Sequence, residues 1–298
     1  MNILVSGASG LIGSALVPEF EAAGHTVRRL VRHQPNSTLE IPWRTNQITP
    51  NTLQPFDAIV HLAGRNIGAR WTASVKQEIR ESRLQGTKTL AGAAADAFRT
   101  SGKPSVLISV SAVGYYGSRG DEELTEASGS GSGFLAEVCR DWEAATEPAA
   151  DAGVRVAIPR VGVVLTRRGG ALKKILPPFQ LGLGGPVGNG RQWMSWVVLD
   201  DLIRILVAAL DDSRMSGPIN AIAPQPVTNL EFAKALGRAL RRPAVFPVPA
   251  FVVKTMFGEM GEETLLAGGR VLPRKLQELG FTFRHPQIAE ALQFAVQH

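Results

Sequence analysis

The chain predicts a doubly wound parallel α/β sheet with a smaller α-rich C-terminal region. Three observations carry that reading. Asn2-Ile3-Leu4-Val5-Ser6 is an apolar strand followed at once by Gly7-Ala8-Ser9-Gly10-Leu11-Ile12-Gly13 and an apolar helix. Short apolar strands then alternate with helical stretches, the pattern of a parallel sheet covered by helices on both faces. From about Gly217 the texture changes to capped helices and proline breaks. A strand, a glycine turn and a helix at the N-terminus mark the sheet as Rossmann-type. The sheet domain is read as residues 1–215, with a substrate loop at about 165–196, and the smaller region as 216–298.

The elements follow in order. After the turn, Leu11 to Ala23 reads as a helix stopped by Gly24, with a bend expected at Pro18. Thr26–Val31 is the second strand, Asp57–Leu62 another ending at Ala63-Gly64, and Ala73 to Phe98 a long helix. Ser105–Val110 is a strand, and Gly129-Ser130-Gly131-Ser132-Gly133 a low-complexity loop before a helix from Phe134 to Ala152. Val154 to Val164 gives one more strand, which Pro159 should demote or bulge. Arg167–Arg191, rich in Gly and Pro, reads as a ligand-wrapping loop, and Asp201–Leu210 as an apolar helix. Thr228 with Glu231 forms a capping box, placing Phe232, Leu236 and Leu240 on one helical face. Prolines 243, 247 and 249 end that helix, and no internal repeat is present.

Bulk properties narrow the function. The 298 residues are 44% hydrophobic, enough for a sizeable core. No apolar run reaches the ~18 residues of a membrane span and the N-terminus enters a strand directly, so a cytoplasmic protein without a membrane partner is expected. Cys139 is the sole cysteine, which excludes an intramolecular disulfide and a cysteine-based metal cluster. The five histidines (25, 33, 61, 285, 298) lack metal-ligand spacing, so no metal is expected. The net charge of +6 comes from basic pairs scattered along the chain without an aromatic platform. That distribution suits an anionic small molecule better than nucleic acid. The oligomeric state stays open, a homodimer being one option.

The glycine turn has a direct chemical meaning. Bare N–H groups at a helix N-terminus favour a pyrophosphate, so Gly7, Ser9, Gly10, Leu11, Ile12 and Gly13 are assigned to a dinucleotide. Gly7 permits the turn, Gly10 lets phosphate approach, and Gly13 lets helix and strand pack closely. The second strand ends in Val31, Arg32 and His33, with no Asp or Glu between Glu21 and Glu40. A carboxylate there would accept the ribose 2′-OH, whereas a guanidinium pairs with a 2′-phosphate, so the cofactor is read as NADP(H) with Arg32 as its partner. The bland alternative for Arg32 is a solvated strand end.

In order, Gly7-x-x-Gly10-x-x-Gly13, Asp57…His61-Leu62-Ala63-Gly64, Ser109-Val110-Ser111, Tyr115-Tyr116-Gly117 and Trp196…Asp200-Asp201-Leu202 occur along the chain. Together they resemble the extended and atypical short-chain dehydrogenase/reductases of the epimerase and dehydratase superfamily. Gly182-Leu183-Gly184-Gly185-Pro186, Pro226-Val227-Thr228-Asn229 and Leu279-Gly280-Phe281 resemble one branch, the epimerase family oxidoreductases with a C-terminal domain of unknown function. The resemblance implies further cofactor contacts at Leu62, Ala63, Gly64, Glu78, Arg83, Val110 and Val164. Glu78 with Arg83 reads equally as a solvent-facing pair.

One departure from the family pattern stands out. Its active members use Tyr-x-x-x-Lys on a helix, the lysine lowering the tyrosine pKa. The corresponding stretch here, Phe134-Leu135-Ala136-Glu137-Val138-Cys139-Arg140, has neither residue. Ser111, Tyr115 and Tyr116 are the remaining catalytic candidates. The expected function is an NADP(H)-binding oxidoreductase or epimerase acting on a small carbonyl, alcohol or nucleotide-sugar-like substrate. The alternative is a non-catalytic NADP(H)-binding sensor or regulatory protein.

Overall fold

The computed structural model describes residues 1–44 and 48–298. An eight-stranded sheet is formed by β1 (Asn2–Ser6), β2 (Thr26–Val31), β3 (Glu40–Pro42), β4 (Ala58–His61), β5 (Val106–Ser109), β6 (Ser111–Ala112), β7 (Arg155–Val161) and β8 (Gly217–Ala221). Its order is β8-β7-β5-β4-β1-β2-β3, with β6 continuing beside β7, and every pairing is parallel. The eighth strand lies beyond residue 215, so the sheet runs past the boundary expected for it.

Strand β1 shows why the sheet is covered on both faces. Ile3, Leu4 and Val5 are fully buried, and successive side chains point to opposite sides. Ile3 and Val5 pack with Leu16, Val17 and Phe20 of the helix Gly13–Ala22 and with Leu202, Ile205 and Leu206 of the helix Leu199–Asp211. Leu4 packs the other way, against Leu90, Ala91 and Ala94 of the helix Ala73–Ser101. The chain leaves β1 toward β2 on one side and reaches β4 on the other. That reversal opens a crevice at the carboxyl ends of β1 and β4, the usual ligand position in such sheets.

Several expected elements are corrected. The first helix begins at Gly13 rather than Leu11, and it continues through Pro18, whose missing N–H leaves only the Ser14 carbonyl without its helical donor. The helix expected over Phe134–Ala152 is two, Phe134–Ala144 and Glu147–Asp151, because Pro148 starts the second. The expected Val154–Val164 strand is also two. Arg155–Val161 stays in the sheet, while Val163–Leu165 turns off it to pair with Trp196–Val198. Pro159 neither bulges nor demotes its strand. Val106↔Arg155 and Ser111↔Arg160 keep one register, and the ladder lapses only beside the proline that has no N–H to donate. The Arg167–Arg191 segment holds a helix, Gly170–Gln180, where only loop was expected.

Beyond β8 the chain is mainly helical. Thr228 and Glu231 form the expected capping box of the helix Asn229–Leu240. Phe232 and Leu236 of that helix bury against Leu292 and Ala295 of the helix Ile288–Gln297, together with Trp196 and Phe179. The Gly-Ser loop is firmly placed: a Cβ on Gly131 would lie 2.0 Å from the Tyr116 carbonyl oxygen. After it, the Glu263 carboxylate accepts from the Phe134 and Leu135 amides (2.9 Å each) and caps the Phe134–Ala144 helix from the C-terminal region.

Candidate functional site

The turn after β1 is made of main chain in close approach. Gly7 has φ +70°, and a Cβ there would lie 2.9 Å from the Ala63 nitrogen and the Leu62 carbonyl carbon. A Cβ on Gly13 would lie 2.3 Å from the Gly7 oxygen. Gly10 is exposed and donates its N–H to the Gly7 oxygen (3.0 Å). The amides of Ser9, Leu11, Ile12 and Gly13 have no acceptor among the described residues; the first helical bond is Ser14 N–H to the Gly10 oxygen. Four orphan donors at one helix N-terminus form an anion site. Gly169 abuts the Leu11 side chain, so the start of the Gly170–Gln180 helix walls the turn on one side.

Beneath the turn, Ser6 and His61 lock β1 to β4. The Ser6 Oγ accepts from the Leu62 amide (3.2 Å) and meets His61 Nδ1 at 2.6 Å. His61 is fully buried, its Nε2 has no hydrogen-bond partner among the described residues, and burial lowers its pKa to about 4. The imidazole is therefore neutral at pH 7 and orders the strand end that carries Leu62, Ala63 and Gly64.

Around this crevice the expected cofactor residues are placed as follows. Val31 ends β2 half-buried, and Arg32 beyond it is exposed and forms no ion pair among the described residues. Arg29 is held by Glu21 at 2.9 Å instead. The Arg83 guanidinium lies over Gly64, where a Cβ would be 3.3 Å from Cζ, and stacks 5.0 Å from the Trp142 ring. Its Nη1 donates to the Ile79 carbonyl (3.1 Å), its other N–H groups have no partner among the described residues, and burial lowers its pKa. Glu78 is not joined to it; Glu78 pairs with Arg65 at the surface. Val110 is buried and donates its N–H to the His61 carbonyl (3.1 Å). Val164 sits half-buried in the strand that leaves β7.

The three catalytic candidates belong to a different construction. Ser111 is 3% exposed and its Oγ donates to Glu143 Oε1 (2.7 Å). Glu143 grips Arg160 with both oxygens, accepting from Nε at 2.9 Å and Nη2 at 2.7 Å. Arg160 Nη1 donates to the Tyr116 hydroxyl (2.8 Å), which donates to Asn220 Oδ1 (2.7 Å). Tyr116 is fully buried, and burial pushes its pKa up to about 12. A proton shuttle needs the reverse shift and access to a substrate. Tyr115 stacks on the Arg160 guanidinium at 3.6 Å and borders a cavity of about 530 Å³ that reaches Ser216 and Gly217. None of the cofactor candidates lines that cavity. Cys139, beside Ser111, is buried and raised to about 11, so it is no nucleophile at neutral pH.

Glu143, Arg160 and Asn220 escape sequence reasoning because a buried ion pair has no periodic signature. Asp121, Glu122 and Glu123, consecutive in the chain, each hold a neighbouring side chain. Asp121 accepts from Trp193 Nε1 (2.7 Å), Glu122 pairs with Arg119 (2.6 Å), and Glu123 with Arg270 (3.1 Å).

Comparison with known proteins agrees with this architecture. Residues 3–221 match the NAD dependent epimerase/dehydratase family, and residues 248–295 a domain of unknown function, DUF1731. An epimerase family protein of Mycobacterium bovis is 45% identical over 296 residues, covering 98% of this chain and 97% of that protein. The crystal structure of the human epimerase family protein SDR39U1 with NADPH superposes with a TM-score of 0.91 at 36% identity, covering 100% of both chains. A nucleoside-diphosphate sugar epimerase from Corynebacterium glutamicum gives a TM-score of 0.81 at 40% identity, over 99% of this chain and 58% of that one. With most of its length matched and the glycine turn, sheet order and crevice in place, the chain belongs to the NAD-dependent epimerase/dehydratase family.

Proposed function

We propose that this chain binds NADP(H) in the β1–β4 crevice and works as an oxidoreductase or epimerase on a small carbonyl, alcohol or nucleotide-sugar-like substrate. The observation that carries the reading is the row of amides at Ser9, Leu11, Ile12 and Gly13, orphaned among the described residues, with Arg32, which has no ion pair among them, at the end of the neighbouring strand. The residues fit the cofactor. The amides would hold its pyrophosphate, Arg32 its 2′-phosphate, and Leu62–Gly64 would lie along it; Val110 and Val164 supply apolar walls. The human relative crystallised with NADPH supports the choice of cofactor. When bound, the nicotinamide supplies or accepts a hydride. Arg83, with free N–H groups beside Gly64, is suited to orient an anionic or carbonyl oxygen and to stabilise charge developing there.

A second reading, a non-catalytic NADP(H) sensor, is favoured by the Ser111–Glu143–Arg160–Tyr116 network, in which Ser111 and Tyr116 already have partners. Parallel titrations with NADPH and NADH test the shared part: preference for NADPH is expected, and binding of neither overturns both readings. NADPH oxidation against a carbonyl library, with Arg83→Met as the variant, then separates them. Turnover that falls in the variant supports the enzyme; NADPH binding without turnover on any substrate leaves the sensor.

A further inference from the structure

Two surface segments far apart in sequence come together in the C-terminal region. Residues 182–187 run beside residues 243–248, joined by the Phe246 amide to the Gly184 carbonyl (3.1 Å), the Val248 amide to the Pro186 carbonyl (2.8 Å) and a Val187–Val248 bridge. This pairing sets the segment that carries Leu181 and Leu183 beside the one that carries Val245 and Phe246, and these side chains are 75%, 59%, 68% and 52% exposed. Phe251, on the helix that follows, is 70% exposed. Isolated exposed hydrophobics are ordinary, but a contiguous group built on two paired loops marks a contact surface.

The charge beside it identifies the contact. A groove next to Val245 is lined by Lys234, Arg238, Arg241 and Arg242, none of which forms an ion pair among the described residues. The two parent stretches, residues 152–199 and 232–258, contain no Asp or Glu. Four unpaired cations flanking exposed Leu, Val and Phe would repel a second copy of the same face. They complement an anionic lipid surface, where apolar tips enter the headgroup–acyl boundary and cations stay among the headgroups.

We infer that the Leu181–Leu183 and Val245–Phe246 loops, with the Lys234–Arg242 groove, form a docking surface for anionic membranes. No helix among the described residues is long and apolar enough to cross a bilayer, so the contact is peripheral. It departs from the expectation of no membrane partner, because a search for spans is blind to such a patch. It stands independently of the proposed activity.

The test is flotation of the full chain with vesicles of phosphatidylcholine alone and of phosphatidylcholine with 30–40% phosphatidylglycerol, roughly the anionic content that draws basic segments. Binding to the anionic vesicles alone is expected, weakening as salt rises. Arg238→Ala and Arg242→Ala should each lower partitioning about fivefold, the worth of one cation near the surface. Phe246→Ser should lower it about tenfold through lost apolar insertion. All three side chains are surface groups, so unchanged thermal unfolding serves as the folding control. Absence of binding at low salt, or binding that none of the variants alters, overturns the inference. So does sedimentation showing a dimer that Phe246→Ser dissolves, which would make a second copy the occupant.

Discussion

At the carboxyl edge of the sheet, the turn after β1 leaves main-chain donors bare, whereas β6 and β7 carry side chains that Glu143 joins. Around Gly7 and Gly13 there is no room for a Cβ, and four amides at the helix start have no acceptor among the described residues. Around Ser111 the donors and acceptors are matched: hydroxyl to carboxylate, carboxylate to guanidinium, guanidinium to phenol, phenol to amide. Unsatisfied valence at a surface crevice is what a ligand can use, and a closed, buried network is what a fold uses to fix its own geometry. Side by side, the two regions differ in what they leave free: main-chain donors in one, and in the other a matched network that already engages Ser111 and Tyr116. The first half leaves donors free, and the second satisfies its own.

The largest expected effect comes from breaking the closed half. Glu143→Ala leaves the Arg160 guanidinium, 2% exposed, without its counter-ion. Removing one partner of such a pair costs about 3–5 kcal/mol. Urea unfolding should show that loss, while the folded variant still binds NADPH with wild-type affinity. Lost NADPH binding with stability intact would join the two halves into one site. Next comes the open half. In Gly13→Ala the new Cβ would meet the Gly7 oxygen at 2.3 Å, and overpacking of this kind costs about 1–3 kcal/mol. NADPH affinity should drop more than tenfold, since the same shift displaces the amides. Unchanged affinity in a calorimetric titration would place the nucleotide elsewhere.

The same contrast explains what the sequence makes legible. Gly7 and Gly13 announce their turn because steric exclusion of Cβ leaves glycine as the residue that fits, and the constraint is local in the chain. The alternation of strands and helices gives the parallel sheet for a similar reason, each element burying its own apolar residues. Glu143 and Arg160 announce nothing, since their pairing joins a helix to a strand 17 residues on and depends on burial that only the assembled fold creates. The edge strand Gly217–Ala221 falls where the change of texture at about Gly217 reads as the end of the sheet domain. The helix Gly170–Gln180 was hidden by Pro177 and Pro178. Tyr116 was legible as an aromatic beside a strand end, yet its burial was not.

A third effect lies beneath the open half and is read by pH. His61 is neutral in the folded protein because burial holds its pKa near 4, while an unfolded histidine titrates near 6.5. Below 6.5 the unfolded state binds the extra proton, so this contribution is complete above pH 6.5 and is lost as pH falls toward 4. The loss is about 2 kcal/mol at pH 5 relative to pH 7.5. Carboxylates titrate in the same range, so the informative quantity is the difference from His61→Gln, whose stability should fall less steeply between pH 6.5 and 5. Parallel curves would mean that His61 opens to solvent and takes its proton without unfolding.

The smallest effect bears most directly on the choice of cofactor. The amides at Ser9, Leu11, Ile12 and Gly13 would meet a pyrophosphate common to NADH and NADPH, so they cannot discriminate between the two. Discrimination needs a side chain at the end of β2, where Arg32 is exposed and without an ion pair among the described residues while Arg29 is held by Glu21. In solvent such a contact is screened, so Arg32→Ala should weaken NADPH about tenfold, roughly 1.4 kcal/mol, and leave NADH within twofold. The wild-type preference should also shrink as ionic strength rises, a dependence that the amide contacts shared by both cofactors do not predict. Equal weakening of both nucleotides by Arg32→Ala would mean that the guanidinium supports the turn rather than reading the 2′-phosphate. The division between an unselective main-chain cradle and a selective side chain would then fail at its selective end.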